Sequence, residues 1–317
     1  MTHPHRSNSH SPEPFHKDEG SLQDLIQSLS RRRTLAMLGT VAFGSSFVAA
    51  CGGGGGGGST TTSVTTTSAS SSSSSSSSSG SSSSSSSASS SSTSSSGTCT
   101  TYPGETQGPY PGDGSNTVSG TVINALALSG INRSDIRTSV GSASGTAPGL
   151  PVQLTITVVN SANGCTPLAG YAVYLWHCTR DGLYSLYSSG VTGENYLRGV
   201  QVTNASGQVT FTTIFPGCYS GRMPHLHVEV YPSLAAATSY ANKLFTSQFA
   251  LDRTVCSTVY SSVTGYSASV SNLAAISFAT DNVFSDNTSA QLAAQTIALS
   301  GNTTSGYTGT VTLGMNI

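Results

Sequence analysis

Pro224-His225-Leu226-His227-Val228-Glu229-Val230-Tyr231 is the stretch that decides how this chain is read. Apolar and polar residues alternate along it with a period of two. Side chains on a strand point to opposite faces in turn. Leu226, Val228 and Val230 therefore face one way, and His225 and His227 the other. Two imidazoles aimed at one spot are half of a metal site, built as a β-protein builds it. Beyond the N-terminal leader the chain has a single further histidine, His177.

Working outward, the same periodicity recurs. Leu150, Val152, Leu154, Ile156 and Val158 alternate with polar residues, as in a half-buried strand. Residues 172–177 and 208–214 read as further strands, and Val311, Leu313, Met315 and Ile317 as a closing one. Asn204-Ala205-Ser206-Gly207 and Pro216-Gly217 punctuate the gaps as turns. No long amphipathic helix stands out, and residues 292–299 offer one short candidate. The expected fold class is all-β, a β-sandwich.

Composition divides the 317 residues into three parts. Residues 52–98 are almost pure Gly, Ser and Thr. Such a tract has no apolar side chains to offset its chain entropy, so disorder is expected there. As a Gly/Ser coil it would span roughly 40 Å. Residues 1–51 read as an address. Ser30-Arg31-Arg32-Arg33-Thr34-Leu35 looks like a twin-arginine export signal, and the apolar run after it ends in Val48-Ala49-Ala50-Cys51, which resembles a lipobox. On that reading Cys51 is acylated, and the mature protein is an exported lipoprotein held to a membrane by its lipid alone. Residues 99–317 form the folded domain. With 12 Lys+Arg against 13 Asp+Glu the chain has no basic footprint for nucleic acid. Cys99, Cys165, Cys178, Cys218 and Cys256 remain after Cys51. In an oxidising compartment they allow two disulfides and one thiol, in a connectivity that spacing leaves open.

Three segments carry the chemistry. They are residues 176–185 (Trp-His-Cys-Thr-Arg-Asp-Gly-Leu-Tyr-Ser), Tyr196-Leu197-Arg198-Gly199 running on to Phe211-Thr212-Thr213-Ile214, and residues 216–227 (Pro-Gly-Cys-Tyr-Ser-Gly-Arg-Met-Pro-His-Leu-His). With Glu105-Thr106-Gln107-Gly108-Pro109-Tyr110 ahead of them, they occur in the order and spacing of one known family. From Glu105 to Ile317 the chain resembles the intradiol ring-cleavage dioxygenases. The resemblance implies that family's β-sandwich and a mononuclear non-haem Fe(III) held by Tyr184, Tyr219, His225 and His227. It implies a catechol-type diol and O2 as substrates, with the ring opened between the two hydroxylated carbons to a muconate-type diacid. Tyr219 would also serve as a base, Arg222 would stabilise the anionic ring, and Gln248 would stand near the iron, although the 243–248 segment is one residue longer than the family's. Gly108, Pro109 and Tyr110 would line the substrate mouth.

The ligand chemistry agrees with this. Ferric iron is hard and highly charged, and phenolate oxygens suit it. Arginine cannot ligate, having no lone pair to give. Blander readings compete at each position. Two strand histidines or two buried tyrosines taken alone are more often core residues. His177 could complete a three-histidine zinc site, although its place behind Trp176 suggests a structural role. Glu229 shares a face with His225 and His227 and could make a two-histidine, one-carboxylate ferrous site. Arg137 and Arg198 read as structural. For the whole protein the alternative is a non-catalytic binding or adhesion module displayed on a Ser-rich stalk. The particular catechol and the oligomeric state are left open.

Overall fold

The computed structural model describes residues 99–317. The expected export signal of 1–51, the expected acylation at Cys51 and the expected linker of 52–98 all lie outside the described residues. In chain order the strands are β1 (Asp113–Val118), β2 (Thr121–Asn124), β3 (Pro151–Asn160), β4 (Thr166–Pro167), β5 (Ala172–Trp176), β6 (Arg198–Val202), β7 (Gln208–Ile214), β8 (His225–Tyr231), β9 (Phe245–Ala250), β10 (Ala298–Asn302) and β11 (Gly306–Met315). The α-helices are α1 (Arg253–Ser262), α2 (Ser267–Ala274) and α3 (Ser289–Gln295). Among the described residues no helix is long and apolar enough to cross a membrane.

The strands make two main sheets and the small β1–β2 hairpin. In the first sheet β3 pairs with β11 in parallel and with β4 and β7 antiparallel, while β10 continues beyond β11. The second runs β6-β5-β8-β9 with every pair antiparallel. Alternation explains what each face does. Val152, Leu154, Ile156 and Val158 turn inward from β3, while Gln153, Thr155 and Thr157 turn outward. The inward set shares one apolar cluster with Val173, Leu175, Leu226, Val228, Val230 and Phe249 of the second sheet.

The second sheet is buried on both faces, and this positions the site. Every residue of β5 and of β8 is buried. One face carries the shared core. The other carries Tyr174, Trp176, His225, His227, Glu229, Tyr231 and Gln248, covered by residues 105–113 and 177–198. Pro111 O accepts from Tyr174 Oη (2.8 Å) and Arg198 Nη1 (2.8 Å), Thr106 O accepts from Gln248 Nε2 (2.9 Å), and Glu105 N donates to Thr246 O (2.9 Å).

Four sequence expectations need correction. The domain is mostly sheet but not all-β, because α1 to α3 fill most of residues 253–295. Asp252 caps α1 by accepting from the N–H groups of Thr254 and Val255, and Cys256, Val259 and Tyr260 form its buried stripe. The helix expected at 292–299 runs instead from Ser289 to Gln295, closed by a Thr288/Gln291 capping box, and the chain is extended again from Ala298. Cysteine pairing also differs. Cys99 and Cys165 form a disulfide, while Cys178, Cys218 and Cys256 are free and buried. The last strand ends at Met315, and Ile317 is exposed.

Candidate metal centre

Two turns and one strand bring the tyrosines to the histidines. After β5 the chain turns at Thr179, whose Oγ1 accepts from Asp181 N (3.2 Å) and Leu183 N (3.1 Å), and whose C=O accepts from Gly182 N (3.0 Å). This turn presents Tyr184. Gly182 has φ +84°, and a Cβ on it would stand 3.1 Å from Cβ of Tyr219. A Cβ on Gly217 would meet Arg180 O at 2.4 Å. Glycine at these positions is what lets the two tyrosine-bearing turns lie against each other. Arg198 then fastens the Tyr184 turn. Its Nε donates to Ser185 Oγ (3.1 Å) and its Nη2 to Ser185 O (2.9 Å) and Tyr110 O (3.0 Å).

The four side chains converge. Tyr184 Oη lies 3.0 Å from His227 Nε2 and 3.4 Å from His225 Nε2. Tyr219 Oη lies 3.2 Å from His225 Nε2, and the two Nε2 atoms are 3.1 Å apart. Tyr184, His225 and His227 are buried, while Tyr219 is only half-buried. His225 Nδ1 lies 2.6 Å from Met223 O, a pure acceptor, so Nδ1 carries the hydrogen and Nε2 of the neutral ring presents a lone pair. His227 Nδ1 is buried with no hydrogen-bond partner. Both imidazoles stay uncharged. Burial, then the Arg222 cation, lowers His225 to about 3, and burial, then His225, holds His227 well below 6.5.

These residues fit a small cation. Oxygen and nitrogen donors sit about 2.0–2.2 Å from a first-row transition-metal ion, so donors sharing one are about 3 Å apart. That is the spacing observed. A cation at their centre would take a lone pair from each of the four at once. The other metal sets weighed from the sequence are not assembled. His177 Nε2 is 2.6 Å from Thr213 Oγ1 and its Nδ1 2.8 Å from Cys178 O, so that ring is structural. Glu229 turns its carboxylate to Tyr231 Oη (2.7 Å) and Lys243 Nζ (2.8 Å). Among the described residues no three His, Cys, Asp or Glu side chains group as a metal site.

Beside the cluster, Arg222 and Gln248, expected separately at the ring and near the iron, meet each other. Arg222 Nη2 donates to Gln248 Oε1 (2.7 Å). The extra residue in 243–248 does not carry Gln248 away, because β9 pairs it directly with His227. Gly108 and Pro109 are buried, and Tyr110 packs its ring on Tyr184, with centroids 4.9 Å apart. Arg198 is buried, and all the partners above and Tyr174 Oη (3.2 Å) are neutral. Arg137 pairs at the surface with Asp135 (2.7 Å). Sequence reading missed Asp281, a buried carboxylate against Arg222 (Nε to Oδ2, 3.1 Å). Burial raises it, but Arg222 and the N–H groups of Met223, Phe284 and Val283 hold it below the usual carboxylate range.

Residues 130–239 match the family model described as Dioxygenase, a span that contains Tyr184, Tyr219, Arg222, His225 and His227. The chain resembles the intradiol ring-cleavage dioxygenases. Among solved structures it is similar to an intradiol ring-cleavage dioxygenase from Tetranychus urticae, at 23% identity over 69% of this chain and 95% of that one, with a TM-score of 0.49. It is also similar to the dioxygenase domain of a dioxygenase carbohydrate-binding protein fusion from Streptomyces sp. SirexAA-E (21%, 69% and 99%, TM-score 0.40). A 3-chlorocatechol 1,2-dioxygenase from Rhodococcus opacus 1CP is similar at 16% identity (66% and 70%, TM-score 0.41). No curated protein sequence matches the chain. Within the dioxygenase segment lie all four converging donors; Gln248, Asp281 and the strap at 105–113 lie outside it.

Proposed function

We propose that this chain is an intradiol dioxygenase that opens catechol-type rings between the two hydroxylated carbons, on a β-sandwich of that family. The observation carrying the reading is the convergence of Tyr184, Tyr219, His225 and His227 with donor spacings of 3.0–3.4 Å. These four would hold one non-haem Fe(III), which when bound supplies Lewis acidity toward a chelating diol. The residues supply the rest. Tyr219, the most exposed of the four, would, as the phenolate that a bound cation makes of it, be the residue to take a substrate hydroxyl proton on Oη. Arg222 is buried beside the site, where a fixed cation stabilises negative charge on the ring far better than water would. Gln248 accepts from Arg222 and donates to Thr106 O, so it aims the guanidinium. Tyr110, its ring tilted against Tyr184, would form part of the wall that keeps water out. Both atoms of O2 end in the diacid product.

The reading includes export. Residues 1–51 would be the twin-arginine signal with Cys51 the acylated residue, 52–98 a tether, and 99–317 the catalytic domain. The Cys99–Cys165 disulfide supports an oxidising destination. Cys51→Ala should move the protein from the membrane fraction to the soluble one.

The deciding experiment is iron loading followed by spectroscopy and oxygen uptake on a catechol panel. A red-brown protein that consumes O2 is expected. Tyr219→Phe should shift or bleach the colour, and an unchanged spectrum would remove Tyr219 from the ligand set. An iron-replete protein silent across the panel would favour the binding-module alternative.

A further inference from the structure

We infer that Asp281 is a positioning residue for this site, setting the Arg222 guanidinium and, through Met223, the ring of His225. The inference rests on the proposed iron-site reading but uses a residue outside the dioxygenase segment of 130–239. Asp281 lies in the connection between α2 and α3. Its carboxylate is wholly buried and both oxygens are engaged. Oδ1 accepts from Val283 N (2.8 Å) and Phe284 N (3.0 Å), which fix the carboxylate to its own loop. Oδ2 faces the site and accepts from Arg222 Nε (3.1 Å) and Met223 N (2.6 Å).

Each contact on Oδ2 leads toward the reacting centre. A guanidinium is a planar fork, so fixing Nε fixes where the other nitrogens point. Arg222 Nη2 is thereby directed at Gln248 Oε1. The second contact holds Met223, whose carbonyl accepts from His225 Nδ1 (2.6 Å). That hydrogen bond selects the tautomer that leaves Nε2 free to ligate, and partners of this kind tune metal sites strongly. One carboxylate thus holds both the residue that stabilises charge and the residue that orients a ligand.

The test uses the full chain with Asp281→Asn, which keeps the size and removes the charge, and Asp281→Glu as the conservative variant. In iron-free protein, nitrogen NMR reads the His225 tautomer. The wild type should show hydrogen on Nδ1 alone and Asp281→Asn a mixture. In iron-loaded protein, Asp281→Asn should shift the tyrosinate charge-transfer band and lower kcat on the order of tenfold to a hundredfold with little change in KM. Asp281→Glu should recover part of both. A folded Asp281→Asn with the wild-type tautomer, band and kcat overturns the inference. Should the lone buried Arg222 cation prevent folding, Arg222→Gln is compared with the Arg222→Gln, Asp281→Asn double variant, in which no uncompensated charge is left inside. Identical His225 tautomers in that pair overturn the inference, and different ones support it. A colourless, inactive iron-loaded wild type overturns the iron-site reading instead, and the NMR comparison still judges Asp281.

Discussion

Trp176 lies flat on His227, with ring centroids 4.8 Å apart and planes 5° from parallel. The two are directly paired across β5 and β8, and Tyr174 also stacks on Trp176 at 4.9 Å. His227 has no partner on Nδ1, so apart from the contacts at Nε2 this stack is what holds its ring plane. Trp176→Ala would remove a fully buried ring and is expected to cost about 3–5 kcal/mol of stability. Trp176→Phe keeps a stacking face and deletes an indole N–H that has no partner, so a cost under about 1.5 kcal/mol is expected. Denaturant unfolding of the two variants gives the comparison, and equal losses would contradict this account of the stack.

Trp176 is also the chain's one tryptophan. Its emission therefore reports on a single place, beside His227. Adding ferric iron to iron-free protein should quench that emission in step with growth of the visible band. Quenching that persists in a His225→Ala, His227→Ala double variant would mean that the ion sits elsewhere.

Arg198 joins the site's cover to its Tyr184 turn, donating to Tyr110 O, Pro111 O and Ser185 O and Oγ. Its guanidinium also stands 5.4 Å over the Tyr187 ring. Lysine cannot reproduce a fork with several fixed directions. Arg198→Lys should leave buried carbonyls unsatisfied at about 1–3 kcal/mol each. The strap at 105–113 should then become the first place a protease cuts in the native protein. A variant as protected as wild type would show that the strap is held by its other contacts.

Acid sensitivity follows from the buried histidines. His225 is lowered to about 3, His177 to about 4 and His227 well below 6.5, each chiefly by burial. The unfolded chain takes up these protons near 6.5, so the stabilisation is complete above that pH and is lost as pH falls toward the folded values. Glu229 acts in the opposite sense. Burial, then Asp113, raises it from 4.5 to about 7, so its contribution is complete below 4.5 and is lost as pH rises through 7. Three histidines against one carboxylate leave a net uptake of about two protons on unfolding near pH 5.5. Stability of the iron-free protein should fall by about 2–3 kcal/mol per pH unit between pH 6 and 5. Removing the opposing group with Glu229→Gln should steepen this to about 4 kcal/mol per unit. A slope unchanged from wild type in that variant would place the Glu229 carboxyl in its ionised form.

Much of the sheet was legible because period-two alternation is a local signal. β3, β7 and β8 lie where Val152 to Val158, Val209 with Phe211, and Leu226 to Val230 put them. The four donors were legible as residues in an ordered motif, although only the structure could show them about 3 Å apart. The helices were less visible. Cys256, Val259 and Tyr260 mark a helical face, but the Ser, Thr and Val around them are weak helix formers, and the Asp252 cap was the better clue. The Thr288-x-x-Gln291 box was an overlooked start signal for α3. Asp281 had no local signal at all. Its role is created by a loop that returns to Arg222 from 59 residues away.

The cysteines follow the same logic, since pairing depends on distances that spacing does not reveal. Cys99 is tied to Cys165 just where the described chain begins, and Tyr102 N continues the attachment by donating to Gly314 O (2.9 Å). Closing a loop across a separation of 66 residues, this bond is expected to contribute about 2–4 kcal/mol, measurable as the stability lost in Cys165→Ser. The other three thiols should be inert. Burial pushes Cys218 up to about 12 and raises Cys178 and Cys256 further, and it is the thiolate that reacts. Cys218 is the sharpest test, because it sits next to Tyr219 in the turn that reaches the candidate metal centre. A thiol reagent applied to the native full chain should leave Cys178, Cys218 and Cys256 unmodified, and denaturant should expose all three together. Labelling of Cys218 in native protein at the denatured rate would mean that this turn opens freely, and the convergence of Tyr219 on His225 would then be a minor state.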